Sequence, residues 1–173
     1  MRPAVQFRYC PRCGVIRADI SPITPLRCAN CKLTYYFNPT VSAAAFVFDD
    51  RNRVLFIRRA KDPAAGMLGV PGGFIDIGET AEEGLRREVR EEVGLEIEGV
   101  QYLGSCINEY FYLEVTYPVV DLIFSATAKR PELALPLDAV AGLEWRNVQD
   151  VQQEELAFPS LKMGIQILQN HHR

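Results

Sequence analysis

Two groups of residues in this 173-residue chain have the types and spacing to do chemistry. Glu88, Glu91 and Glu92 stand at i, i+3 and i+4, so a helix would gather three carboxylates along one border. Like charges at that spacing repel, and a buried border removes the water that would screen them. Arg87 reaches Glu91 at i+4 and Glu83 at i−4, but one guanidinium does not neutralise the cluster. A hard divalent cation does, and oxygen ligands at helical spacing suit Mg²⁺ or Mn²⁺. For an isolated Glu-x-x-Glu-Glu the plain alternative is a solvated acidic face with ordinary salt bridges.

The second group is Cys10-Pro11-Arg12-Cys13 and Cys28-Ala29-Asn30-Cys31, two Cys-x-x-Cys pairs with fourteen residues between them. Such turns close four thiolates around one Zn²⁺ as a tetrahedron. Gly14 allows the tight backbone that brings amide groups toward sulfur. In a secreted chain the same pattern would form disulfides. The N-terminus lacks the continuous apolar core of a secretory signal, so the expectation is a cytoplasmic setting and a structural zinc. Cys106 reads as a small buried apolar residue. The only histidines, His171 and His172, fall in the last three positions. That placement argues against a Ser-His-Asp triad or a histidine-ligated zinc hydrolase, and leaves carboxylates, lysines, hydroxyls or metals.

The elements that must position these groups follow from composition and pattern. At 48% hydrophobic and 24% charged residues the chain is ordinary for a globular protein, with room for one domain and a small module. No apolar run approaches the length of a membrane span, and no membrane partner is expected. The net charge of −3 is split. Residues 1–40 carry six basic residues and one acid, whereas 41–173 carry thirteen basic and twenty-one acidic ones. We expect a zinc ribbon over 1–38 and a larger domain over 39–173. The basic head suits a structural or dimer-forming role better than nucleic-acid binding, which stays open as an alternative.

In the larger domain, the apolar run 41–48, the turn-rich Asp49-Asp50-Arg51-Asn52 and 54–57 predict a hairpin. Residues 68–75 read as a Gly- and Pro-interrupted strand or loop. Thr80-Ala81-Glu82-Glu83 is a capping box and Gly94 a C′ glycine, which predicts a helix over 81–93. Strands are expected at 97–106, 113–115, 119–127 and 143–145, and a last helix near 160–169 with Leu161, Ile165 and Leu168 on one face. The fold class is α/β, a mixed sheet with helices on both faces. At about 100° per residue, Ala81, Leu85, Val89 and Val93 form the buried stripe of the first helix. Glu88, Glu91 and Glu92 lie along its border, while Glu83, Arg86 and Arg90 face solvent.

Gly73, Glu79 and the run Arg87-Glu88-Val89-Arg90-Glu91-Glu92-Val93-Gly94-Leu95 fit the pattern G-x5-E-x7-R-E-U-x-E-E-x-G-U, where U is a bulky aliphatic. With the flanks 54–59 and 69–74, this region resembles the Nudix hydrolases over most of 41–150. The resemblance implies an α/β/α sandwich with a loop-helix-loop metal site and hydrolysis of a nucleoside diphosphate linked to another moiety. It implies that Glu88, Glu91 and Glu92 bind Mg²⁺ or Mn²⁺ with a carbonyl of Gly72 or Gly73. Arg87 would orient a box glutamate and Glu79 would stabilise the loop-helix geometry. Metal neutralisation of diphosphate charge and activation of water agree with that reading.

A zinc ribbon before such a domain is similar to the arrangement in NADH pyrophosphatases. Their SQPWPFPxS motif is not matched by Gly104-Ser105-Cys106-Ile107-Asn108-Glu109-Tyr110-Phe111-Tyr112. ADP-ribose or FAD therefore leads the substrate expectation. Arg58, Arg59 and Phe74 are expected at the substrate, with one of the two arginines reaching the diphosphate and the other facing solvent. Glu109, Glu114, Glu132, Asp138 and Glu144 are candidates for a general base outside the box. Tyr110, Phe111 and Tyr112 read as packing residues rather than a stacking platform. A ligand-sensing or nucleic-acid-binding regulator and an RNA cap- or end-processing diphosphatase are the rival functions, and a homodimer is an open alternative.

Overall fold

The computed structural model describes every residue except Asp19, Pro22, His172 and Arg173. It divides into two compact units, Met1–Thr40 with Glu109–Val119, and Val41–Asn108 with Val120–Arg173. The larger unit is built on strand alternation. Strand β3 (Thr40–Phe48) turns through Asp49, whose carboxylate accepts the Arg51 and Arg53 amides at 3.0 and 2.7 Å. Strand β4 (Val54–Arg59) then returns antiparallel, as the hairpin expectation has it. Ala43, Ala45, Val47, Leu55 and Ile57 point to one face of the sheet, and Ala44, Phe46, Phe48, Val54 and Phe56 to the other. A strand apolar on both sides must be covered twice.

Helix α2 (Ala81–Val93) covers the first face with Leu85, Val89 and Val93. Helix α3 (Pro159–His171) covers the second with Leu161 and Leu168. The mixed sheet runs β5-β4-β3-β8-β7, with β5 at Leu68–Gly69, β7 at Ile97–Tyr112 and β8 at Val115–Ala128. Short β6 (Gly72–Phe74) pairs with β3, and β9 (Val140–Arg146) with β4. Among the described residues, no helix is long and apolar enough to cross a membrane.

The N-terminal unit buries little apolar material, with Tyr9, Ile16, Ile23 and Tyr36 exposed. Its elements are a one-turn helix α1 (Pro3–Gln6) and the two-residue strands β1 (Leu26–Arg27) and β2 (Thr34–Tyr35), paired antiparallel. Its core is Cys10, Leu26 and Cys28 with Cys31, Leu33 and Phe37 packed around them.

Three sequence expectations need correction. Residues 113–115 do not form a separate strand. Leu113 and Glu114, at φ 45° and 64°, make the turn of one long β7–β8 hairpin. Phe111 and Tyr112 do not pack inside but are exposed near that turn. Arg86 does not face open solvent, because its guanidinium bends back to donate to the Ile97 carbonyl. His171 Nε2 donates to the Leu103 carbonyl at 3.0 Å, while His172 lies outside the described residues.

Candidate active site

Local sequence fixes both ends of α2. The Thr80 hydroxyl accepts the Glu83 amide at 3.3 Å, and the Glu83 carboxylate accepts the Thr80 amide at 2.8 Å. These bonds satisfy amide groups that a helix start leaves orphaned. Gly94 ends the helix at φ 69°, and its amide donates to the Arg90 carbonyl. The segment 135–138 completes the C-terminal cap. The amides of Leu135, Leu137 and Asp138 donate to the carbonyls of Val93, Glu92 and Glu91 at 3.1, 2.9 and 3.4 Å.

The loop ahead of the helix is brought close by two glycines. Gly72 sits at φ 148°, and a Cβ there would lie 2.3 Å from the Ala43 carbonyl oxygen, so a side chain collides with backbone. A Cβ on Gly73 would lie 2.5–2.7 Å from the Glu88 carboxyl group. Both glycines are therefore what lets β6 lie against β3 on one side and an acidic helix on the other.

Arg87 organises three of the acids. Its Nε and Nη2 donate to Glu79 at 2.8 and 3.0 Å, and its Nη1 to Glu88 at 2.7 Å and to Glu91 at 3.1 Å. Nη2 also holds the Phe74 carbonyl at 3.0 Å, which ties the loop to the helix. Glu79 in turn accepts the Asp76 amide at 3.1 Å. The Arg87 hydrogen bonds hold the Glu79 carboxyl below its ordinary range, and the same acids raise the pKa of Arg87.

Glu92 is treated differently. It takes the Gly72 amide at 2.9 Å and has no ion pair within 4.0 Å among the described residues. Burial, with the charges of Glu88 and Asp138 adding to it, pushes its carboxyl up to about 8 against the pull of the Gly72 amide and the Arg59 charge. Glu88 is also raised, chiefly by burial, although Arg87 opposes the shift. The three box carboxylates do not converge as they stand, since Arg87 Nη1 lies between Glu88 and Glu91.

The cysteines do converge. Among the described residues, Cys10, Cys13, Cys28 and Cys31 are the set whose donor atoms all lie within 4.8 Å of one another. The Cys10–Cys31 and Cys13–Cys28 sulfurs are each 3.6 Å apart, and none is in a disulfide. Sulfurs about 2.3 Å from a shared tetrahedral centre are about 3.8 Å apart, so the donor set fits zinc. Gly14 and Lys32 follow the second cysteine of each knuckle, at φ 71° and 62°. Cys31 donates its amide to the Cys28 sulfur at 3.4 Å, and the Val15 backbone lowers the Cys13 thiol to about 6.

Residues 38–164 match the family model described as the NUDIX domain. The chain belongs to the Nudix family. Curated relatives named NAD-capped RNA hydrolase NudC are 29% identical over 148 residues in Pseudomonas fluorescens Pf0-1 and 30% in Pseudomonas entomophila L48. Each alignment covers 86% of this chain and 51% of the relative, so the chain spans about half the length of the relatives it matches. A Nudix hydrolase from Nitrosomonas europaea superposes with a TM-score of 0.67 at 23% identity, over 95% of this chain and 93% of that one. The Nudix domain of Shewanella oneidensis NrtR complexed with ADP ribose gives 0.64 at 22% identity, over 80% and 91%. Both likenesses show the Nudix fold.

Within that fold, the other expected contacts are dispersed. Both Arg58 and Arg59 are tied down, so neither is simply solvated. Arg58 pairs with Glu144 and donates to the Gly66 carbonyl at 2.7 Å. Arg59 donates to the Pro63 carbonyl at 2.8 Å and lies 5.0 Å over the Phe158 ring. Of the general-base candidates, Asp138 belongs to the segment capping α2 and its charge acts on Glu92, whereas Glu144 is occupied by Arg58. Sequence reasoning missed Asp76, whose carboxylate lies 3.8 Å from Arg87. Its position three residues before Glu79 was the available signal.

Proposed function

We propose that this chain hydrolyses a nucleoside diphosphate linked to another moiety, with ADP-ribose or FAD as the leading substrate class, and that Mg²⁺ or Mn²⁺ is required. The observation that carries this reading is Glu92. A carboxylate placed in the desolvated border of a core helix beside Glu88 is costly unless a cation joins it. Glu88, Glu91 and Glu92, with a carbonyl of Gly72 or Gly73, supply the hard oxygen donors that such an ion prefers. When bound, the ion neutralises diphosphate charge and acidifies an attacking water.

The chain's own residues do the rest. Arg87 holds Glu88 and Glu91 by charge-assisted bonds, and Glu79 fixes Arg87 from the opposite side. Asp138, whose charge acts on Glu92 and whose carboxylate pairs with Lys61 at 3.5 Å, is the general-base candidate outside the box that this reading favours. Residues 1–38 act as a structural ribbon holding Zn²⁺ through Cys10, Cys13, Cys28 and Cys31, and residues 39–173 as the hydrolase domain in a cytoplasmic protein.

A second reading, hydrolysis of NAD-capped RNA, is favoured by the names of the relatives matched over 148 residues. A mass-spectrometric panel of ADP-ribose, FAD, NADH and NAD-capped RNA with either ion separates the two. Cleavage of the first pair supports the leading class, and selective cleavage of capped RNA supports the second. A folded protein that turns over none of them with Mg²⁺ or Mn²⁺ overturns both.

A further inference from the structure

Beyond the acidic helix, the opposite face of the sheet carries a row of residues that the proposed reaction leaves unused. Ser42 on β3 stands across from Phe74 on β6 in register. The Ser42 hydroxyl donates to Asp121 Oδ1 on β8 at 2.5 Å, and Asn108 Nδ2 on β7 donates to Asp121 Oδ2 at 3.0 Å. Directly paired residues of antiparallel strands point to the same side. Ala44 and Phe46 fix that side for Ser42, and Ile123 for Asp121, as the face on which α3 packs. Phe74, Ser42, Asp121 and Asn108 thus form one row across four strands, an aromatic ring followed by three polar groups.

Strand alternation calls for apolar side chains here, and α3 explains why they are absent. The helix lies over Phe46 and Ile123 at Gly164 and over Gly104 at Ile167. The polar row falls two to four residues further along each strand, beyond those contact points. Ser42 and Asp121 are nevertheless nine-tenths buried, so the carboxylate is sheltered from bulk water. The row begins on the strand that contains Gly72 and Gly73, and the Phe74 carbonyl is itself held by Arg87. It is therefore anchored to the loop of the proposed diphosphate site.

A carboxylate offers about four lone-pair positions, and Ser42 and Asn108 use two. What remains accepts only N–H or O–H donors. Adjacent strands are about 4.8 Å apart, so Phe74 and Asp121 span roughly 10 Å, the reach of a base and its sugar.

We propose that Asp121, oriented by Ser42 and Asn108, reads a hydrogen-bond donor on the nucleoside half of the substrate while Phe74 stacks on its base. This rests on the hydrolase reading above and names the specificity-determining residue of that site. The donor is either the exocyclic amine of adenine or a ribose hydroxyl.

Equilibrium binding to the full chain without Mg²⁺ or Mn²⁺, its zinc retained, tests it, because binding needs no turnover. The ligands are ADP-ribose, its hypoxanthine counterpart and its counterpart without the adenosine 2′-hydroxyl. The wild type should bind ADP-ribose about tenfold more tightly than one counterpart, the loss expected for a hydrogen bond to a charged group. Which counterpart is weak identifies the donor. Asp121→Asn should erase that preference and raise KM while kcat changes little, and Phe74→Ala should weaken all three ligands alike. Equal wild-type affinity for the three ligands, binding of none, or a preference that survives Asp121→Asn overturns the proposal and leaves the row a staple between strands. Should Asp121→Asn fail to fold, Asn108→Ala, which removes one of the two groups that orient the carboxylate, should still weaken the preference, and a preference left unchanged by it overturns the proposal. Binding with discrimination but no hydrolysis would sink the hydrolase reading alone, and hydrolysis without discrimination would sink this one alone.

Discussion

The cysteine cluster and the acidic helix are both built for cations, yet they are prepared in opposite ways. In the N-terminal unit four sulfurs already converge, and almost nothing else forms a core. In the larger unit a complete core holds α2 rigidly, while the carboxylates stand apart, two drawn to Arg87 and the third alone against the Gly72 amide. A small unit that buries little apolar surface relies on its ion for the fold. A rigid scaffold can instead carry unfavourable charge and reserve it for chemistry.

The sharpest way to break that contrast is Cys28→Ser. We expect it to unfold residues 1–40, seen as collapsed amide dispersion and rapid proteolysis of that segment, while the α2 and α3 resonances persist. Retained dispersion in the N-terminal unit without zinc would remove the distinction. Next in size are the two glycines. Gly72→Ala should cost more than about 3 kcal/mol in chemical denaturation, because its Cβ meets backbone at a left-handed φ. Gly73→Ala should cost less than about 1 kcal/mol, since the Glu88 side chain can swing aside, but should weaken metal affinity.

The pH dependence of the metal-free protein is a comparable handle. Folding raises the Glu92 pKa from 4.5 to about 8, so the folded state binds the extra proton between those values. The stabilisation is complete below pH 4.5 and is lost as pH rises through about 8. Between pH 5 and 8 the loss should be roughly 3 kcal/mol by linkage, and Glu92→Gln should abolish it. A flat profile in the wild type would mean that Glu92 is solvated. The smallest effect on function belongs to Cys106→Ala, which should cost roughly 1 kcal/mol of stability and leave turnover intact. Lost activity at unchanged stability would reveal a role for the thiol.

The sequence made α2 legible because its signals are local. The capping box, the apolar stripe and Gly94 all act within a few residues of the chain, and the helix spans Ala81–Val93 as expected. The β7–β8 turn was hidden because Leu113 and Glu114 adopt positive φ without a glycine or asparagine to announce it. The four cysteines could be named from their spacing, whereas the box acids needed the whole pattern from Gly73 to Leu95 and its resemblance to the Nudix hydrolases. The Arg58–Glu144 pair, the capping segment 135–138 and the Ser42–Asp121–Asn108 row could not, because each depends on strand neighbours far apart in the chain.

Glu92→Gln tests the central claim most directly, with metal-free melting temperature, Mg²⁺ binding and hydrolysis measured on the same preparation. If Glu92 is kept for chemistry at the expense of the fold, melting temperature stays equal or rises and Mg²⁺ affinity falls. Turnover should then drop by about a hundredfold or more, the scale of lost charge stabilisation at a metal-assisted site. A surface salt-bridge role predicts slightly lower stability with unchanged metal affinity and turnover. Turnover that survives Glu92→Gln would contradict the account.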